Sequence, residues 1–185
     1  GNLKEPVTES TKKAARCFYA LEQGRADQKR YPAVGPLESY SKYLEYPEIV
    51  DYLDKTVEKG WVDKVLTAKN IIRRGKESAE QINILGDDGV PMSYHVNFWK
   101  SELIDFIILQ QDGFDPIDSL CPMERQRYML DLVLEICRKD YDFEDFEQCR
   151  NFFKNLINEL RQMNYSAFKS EDFYAYNESV NKLIA

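Results

Sequence analysis

The chain has 185 residues and carries 32 acidic against 25 basic side chains, a formal net charge of −7, with a single histidine, His95. That length bounds the answer to one domain, or one domain with a piece of another. The acidic balance excludes a nucleic-acid backbone as the main partner, because phosphate contacts need a basic face.

No apolar run reaches the length of a membrane span, about 18 residues, and no secretory leader pattern opens the sequence. Gly1 has no Met before it, as in a piece excised from a longer protein. The four cysteines, Cys17, Cys121, Cys137 and Cys149, show neither C-x-x-C nor disulfide-framework spacing, so they read as reduced, buried and cytosolic.

Residues 1–11 read as irregular and turn-forming. The short apolar run 14–21 has strand propensity around Cys17, Phe18 and Tyr19. A lone strand is unstable, so this run implies a missing sheet or a packed-down tail: an edge that stays mobile, refolds onto the bundle or pairs with another copy. Residues 22–30 suit one or two helical turns. Tyr31-Pro32-Ala33-Val34-Gly35-Pro36 is forced into an extended, punctuated linker by two prolines and a glycine, with a domain boundary just after it.

From Pro47 the pattern is helical almost to the end. Pro47 opens a helix that Gly60 closes. The next helix covers 61–85, with one apolar face through Trp61, Val65, Ile72 and Ile82. Gly75 costs about 1 kcal/mol inside it, which implies a close packing contact there. Gly86-Asp87-Asp88-Gly89-Val90-Pro91 breaks the chain. A strongly apolar helix over 96–111 makes the centre of a bundle. Pro122 starts another helix, capped by Ser119 or Cys121, and Tyr141-Asp142 breaks it. The last long helix repeats Phe146, Cys149, Phe153, Leu156, Leu160 and Met163. Residues 165–185 suit a short helix that frays.

The stretch 108–118, Ile-Leu-Gln-Gln-Asp-Gly-Phe-Asp-Pro-Ile-Asp, is unusual for a connector. An aromatic face at Phe114, amides at Gln110 and Gln111, and bare backbone at Gly113 suit a flat heteroaromatic ligand. The plainer alternative is a helix C-cap at Gly113 with Phe114 folded back onto the core. Other chemistry is absent or structural. Gly75-Lys76 lies in a helix without the spacing of a phosphate loop. Asp87-Asp88 and Glu144-Asp145 sit at a turn and a helix start, where carboxylates complement the helix dipole. His95 reads as a satisfied, partly buried histidine. Tyr40, Tyr43, Tyr46 and Tyr52 make a ring-rich patch resembling a protein–protein surface or a core lid.

Several motifs in register resemble the catalytic A subunit of V-type ATP synthases. Glu5-Pro6-Val7-Thr8-Glu9-Ser10-Thr11 is similar to the family's E-P-V-T-x-x-T. Phe18-x-Ala20-Leu21, Arg30-Tyr31-Pro32-Ala33-Val34 and Ser39-Tyr40-Ser41-x-Tyr43 resemble its F-x-A-L, R-H-F-P-A-I and S-Y-S-x-Y. Leu109-Gln110-Gln111-Asp112-Gly113-Phe114-Asp115 and Arg125-Gln126-x-x-Met129-Leu130 resemble L-Q-Q-N-A-F-D and K-Q-x-x-M-L. Tyr31-Pro32-Ala33-Val34-Gly35-Pro36-Leu37 is closer still to a run in the F-type beta subunit.

The resemblance implies a C-terminal piece of that subunit, with the phosphate loop and catalytic glutamate upstream and no catalytic residue here. The implied fold is mainly α: an antiparallel helical bundle over 44–185, preceded over 1–43 by the edge of an α/β nucleotide-binding domain. Tyr31 and Phe114 would face adenine, with Gln111 and Gly113 beside them. ATP or ADP with magnesium would be held only by the full subunit. Partners would be the B subunit and the central stalk, on the cytoplasmic face of a membrane. Asp87, Asp88, Val90 and Met92 would touch the stalk, as an acidic tip does in the F-type beta subunit. Gly113 stands where the family often has alanine, Asp112 where it has asparagine, Lys29-Arg30 where it has Arg-His, and Glu22 where aspartate is usual. The alternative is a non-enzymatic helical interaction module.

Overall fold

The computed structural model describes residues 5–185, which form eight helices and one two-stranded sheet, a mainly α fold. The chain divides into two compact units, one ending at Val62 and the other comprising Asp63–Ala185.

The first unit begins with α1 (Pro6–Ala14), a correction to the irregular start expected there. Pro6 sits in the first turn, Glu9 follows it, and Lys12 and Lys13 occupy the last turn, each favourable at its end of a helix dipole. Residues 1–4 lie outside the described residues. β1 (Cys17–Phe18) pairs antiparallel with β2 (Tyr40–Ser41), Cys17 opposite Ser41 and Phe18 opposite Tyr40. The edge expected to be orphaned therefore finds a partner within its own unit. Leu21 bridges Val34, the Glu22 N–H donates to the Ala33 carbonyl at 2.9 Å, and the Gly35 N–H donates to that of Ala20 at 2.8 Å. The segment read as a linker is thus laid against the residues after β1. A Cβ on Gly35 would come within 2.8 Å of Glu22 Oε2, the movable end of a side chain, and otherwise at ordinary contact distance of Glu22 Cβ and the Ala20 carbonyl.

α2 (Gln23–Asp27) is the short helix expected, and α3 (Pro47–Thr56) starts at its proline. Gly60 does not close α3, which ends earlier. It turns the chain at φ +79° into the next helix, its N–H donating to Asp54 Oδ1 at 3.0 Å.

In the second unit lies all but the start of α4 (Trp61–Leu85), whose bounds match the expectation. It is followed by α5 (Met92–Ile104), α6 (Met123–Arg138), α7 (Phe146–Tyr165) and α8 (Glu171–Ile184). The contact implied at Gly75 is present. A Cβ there would fall 2.0 Å from Ser101 Cβ and 3.1 Å from the Asn97 carbonyl oxygen, so α4 and α5 touch through bare backbone. α5 begins four residues before the expected 96, after Pro91. It widens over Asp105–Leu109 into a π-turn, in which the Gln110 N–H reaches back to the Asp105 carbonyl at 3.0 Å. α6 is entered through Pro122, and neither Ser119 nor Cys121 caps it by a side chain.

The core lies mainly in α6 and α7. Met129, Leu130, Val133, Leu134 and Ile136 are buried on one, and Phe153, Leu156, Leu160 and Met163 on the other. Leu103, Ile104 and Ile107 join them from the end of α5, so only that end of the apolar helix is at the centre. α7 packs against both α5 and α8. Asp145 caps α7 by accepting from the Gln148 N–H at 2.7 Å, while Gln148 Oε1 accepts from the Glu144 N–H at 2.8 Å. α8 is the helix expected there, 14 residues long and reaching Ile184. Ser170 caps it, and Phe173 and Val180, two turns apart on one face, are wholly buried.

Candidate functional site

The loop between the π-turn and α6 is built from its aspartates. Asp112 Oδ1 accepts from the Phe114 N–H at 2.9 Å, and Asp115 Oδ1 from the N–H groups of Ile117 and Asp118 at 2.9 and 2.7 Å. These are turns that short carboxylates make with backbone two or three residues on. Asp118 closes the loop: its Oδ2 accepts from the Asp112 N–H at 2.7 Å, and its Oδ1 from Arg125 Nη2 at 3.2 Å.

Arg125, in the first turn of α6, is 1% exposed. It also donates to the Asn164 carbonyl in α7 at 2.9 Å, and Nε approaches Cys121 Sγ at 3.1 Å. Asn164 in turn donates from Nδ2 to the Ile107 carbonyl in the π-turn at 2.9 Å. Burial raises the Asp118 carboxyl above its ordinary 3.8, against the pull of the Asp112 N–H and of Arg125. A buried pair of this kind fixes geometry more surely than it stabilises.

On this frame Phe114 is completely exposed, its ring free of the core. Gly113 is not a left-handed C-cap, since among the described glycines only Gly60 and Gly86 have positive φ. A Cβ at Gly113 would meet nothing within 4 Å. Both features of the plainer alternative are therefore overturned: the helix ends at extended Gln110, not at a glycine cap, and backbone bonds to aspartates shape the loop that carries Phe114 outward. Gln111 is exposed and donates from Nε2 to the Asp118 carbonyl at 2.8 Å.

Tyr31 belongs to the first unit, 56% exposed on the loop after α2 and preceding a cis proline bond. Tyr19 and Leu21 of the same unit are 73% and 81% exposed. Of the tyrosine patch, Tyr43 and Tyr52 are open to solvent and Tyr40 and Tyr46 half-buried.

The turn between α4 and α5 is a 3-10 turn over Asp87–Gly89, entered at Gly86 with φ +81°. Asp87 and Asp88 are exposed, whereas Val90 and Met92 are half-buried. The large exposed apolar side chains at this turn are Ile84, at 74%, and Leu85, at 56%. Sequence reasoning missed them, although an Ile-Leu pair in a last helical turn has no further turn to cover it. His95 is satisfied as expected and more deeply buried. Its Nε2 lies 2.9 Å from the Asp87 carbonyl, which can only accept, so Nε2 carries the proton. Its ring stacks on Phe146 at 5.6 Å.

No protein-family model matches the chain. Its whole length aligns with V-type ATP synthase alpha chains. It is 34% identical to that of Protochlamydia amoebophila and 36% identical to that of Chlamydia muridarum, each over 184 residues. It spans only 30% and 31% of those proteins. Its fold is similar to that of a solved ATP synthase subunit, NeqB of Nanoarcheaum equitans, with a TM-score of 0.55 over 76% of this chain and 32% of that one, at 17% identity. No helix among the described residues is long and apolar enough to cross a membrane. By sequence along its full length, the chain belongs to the family of V-type ATP synthase alpha chains, of which it represents a C-terminal portion.

Proposed function

We propose that this chain supplies the adenine side of the nucleotide site, and the stalk-facing tip, of a rotary ATPase catalytic subunit that couples ATP hydrolysis or synthesis to ion transport. The observation that carries this reading is Phe114. A phenylalanine with its whole ring in water costs hydrophobic free energy unless something covers it, and here three aspartates and a buried arginine hold it in that position. Stacking on a flat base recovers that cost.

Tyr31, exposed on the first unit, is the second ring proposed to face the base. Tyr19 and Leu21 belong to the surface that the rest of a nucleotide-binding domain would cover. Phosphates and magnesium would be held outside this chain, so the piece alone is expected to release no phosphate from ATP. In-line attack needs a phosphate loop and a metal clamp. The partners in the assembly would be the B subunit and the central stalk, with the complex seated on the cytoplasmic face of its membrane.

The test is equilibrium binding of ATP to the full-length subunit and to its Phe114→Ala and Tyr31→Ala variants. Each is expected to weaken binding by about 1–3 kcal/mol, the scale of one lost base-stacking ring. Unchanged affinity in both variants would remove the adenine assignment.

A further inference from the structure

Within the adenine site proposed above, on which this step rests, we infer that Gln111 is a specificity-determining residue. It presents a hydrogen-bond acceptor to a purine and so selects a 6-amino group over a 6-oxo group. The inference comes from the orientation of one amide. A glutamine side chain carries a donor end and an acceptor end, and a freely rotating amide would serve either kind of base edge. This one is not free. Its Nε2 donates at 2.8 Å to the backbone carbonyl of Asp118, and a carbonyl can only accept. Turning the amide over would set two oxygens against each other.

The carbonyl itself is fixed. Asp118 opens the 3-10 turn before α6, its own N–H is held by Asp115 at 2.7 Å, and its carboxylate is paired with buried Arg125. The donor end of Gln111 is therefore committed to the protein. Its Oε1 accepts no hydrogen bond among the described residues, and the side chain is exposed three positions before the free ring of Phe114. Gln110 lacks this anchor, because its own Nε2 is enclosed in protein without a hydrogen-bond partner among the described residues.

A fixed acceptor beside a stacking ring distinguishes purines by the group on carbon 6. Adenine carries an amino group there and donates. Hypoxanthine and guanine carry a carbonyl there, which would face Oε1 as a second acceptor. One well-made neutral hydrogen bond corresponds to roughly a 3- to 10-fold preference.

Inosine triphosphate is the cleanest probe, since it differs from ATP in the 6-substituent and the ring proton that accompanies it. The experiment measures equilibrium binding of ATP and of inosine triphosphate to the full-length subunit, wild type, Gln111→Leu, Gln111→Ala, Phe114→Ala and Tyr31→Ala. In both Gln111 variants the ATP-to-inosine preference is expected to fall by about 3- to 10-fold, through weaker ATP binding with inosine triphosphate nearly unchanged. In Phe114→Ala both nucleotides should weaken together and the preference should persist. If the Gln111 variants keep the wild-type preference, or weaken both nucleotides equally, the selectivity role is wrong while the adenine site stands. If Phe114→Ala and Tyr31→Ala also leave both affinities untouched, the adenine site itself is wrong.

Discussion

At Gly75 and Gly113 the same added methyl group meets opposite surroundings. At Gly75 it would lie 2.0 Å from Ser101 Cβ, 2.6 Å from Ser101 Oγ and 3.1 Å from the Asn97 carbonyl oxygen, while at Gly113 nothing lies within 4 Å. Gly75→Ala is therefore expected to destabilise by about 1–3 kcal/mol, the usual cost of overpacking, even though alanine is the better helix former. Adding Ser101→Gly should recover part of the loss but not all, since the Asn97 carbonyl remains. Gly113→Ala, which restores the residue frequent in similar sequences, should be neutral or stabilise by about 0.4–1 kcal/mol through the unfolded chain. Urea midpoints of the three variants check this, and a Gly75→Ala protein as stable as Gly113→Ala would show that α4 and α5 do not touch there. Gly75 was legible because a glycine inside a helix needs a reason. The Arg125 network was not, because its partners lie 7 and 39 residues away in the chain. One signal was present: Arg125 precedes Met129 and Val133 at a spacing of four, on the stripe that the helix buries.

The elements of the second unit were read well wherever apolar spacing of three and four ran for several turns, as in α4, α6 and α7. They were read poorly where a local device decided the outcome. The π-turn ends α5 early, Ser170 sets the start of α8 at Glu171, and Pro122 enters α6 without a side-chain cap. Each depends on where a few backbone groups find partners, which periodicity does not report. The buried stripes of α6 and α7 have a consequence in alkali. Cys137 and Cys149 are both buried, and burial pushes each thiol from its ordinary 9.0 up to about 12. Both pKa values are raised in the folded state, so the neutral thiols contribute stability that is fully present below about pH 9 and lost as pH rises toward 12. Burial raises Tyr128 and Tyr141 as well, which adds to the loss. Lys100, whose ammonium is lowered from 10.5 by burial, works the other way. Above pH 9 each thiol should steepen the fall by about 1.4 kcal/mol per pH unit. Denaturation series from pH 8 to 11 should show a shallower fall in Cys137→Ala and in Cys149→Ala than in wild type; equal slopes would mean that neither thiol is desolvated.

Among the described residues the buried apolar side chains are concentrated from Val62 onward, and before it only Ala20 belongs to the core. That asymmetry was only partly legible. The sequence pointed to an incomplete leading region and a helical remainder, and the family resemblance explained why. It did not show that β1 would pair with β2, because that pairing joins residues 24 and 22 apart, between which two prolines and two glycines intervene. The proposed stalk-facing turn changes most in physical content. Apolar contact was expected from Val90 and Met92, but both are half-buried, while Ile84 and Leu85 stand in solvent on the last turn of α4. The turn between them and α5 is stiff, since Gly86 ends the helix through its N–H to the Ile82 carbonyl at 2.8 Å and His95 holds the Asp87 carbonyl. A stiff turn with an exposed apolar pair can push on a partner through shape, with Asp87 and Asp88 secondary because exposed charges are screened. In the assembled complex, Ile84→Ser with Leu85→Ser should therefore reduce ATP-driven ion transport more than Asp87→Ala with Asp88→Ala. Stability of the isolated chain should change little in either case, as all four side chains are exposed. A coupling free energy of about 1–3 kcal/mol between the nucleotide site and the tip would be ordinary, so a several-fold loss of transport per ATP hydrolysed is the effect to look for. If the acidic pair abolishes transport and the apolar pair leaves it intact, the tip acts through charge and the contact account fails.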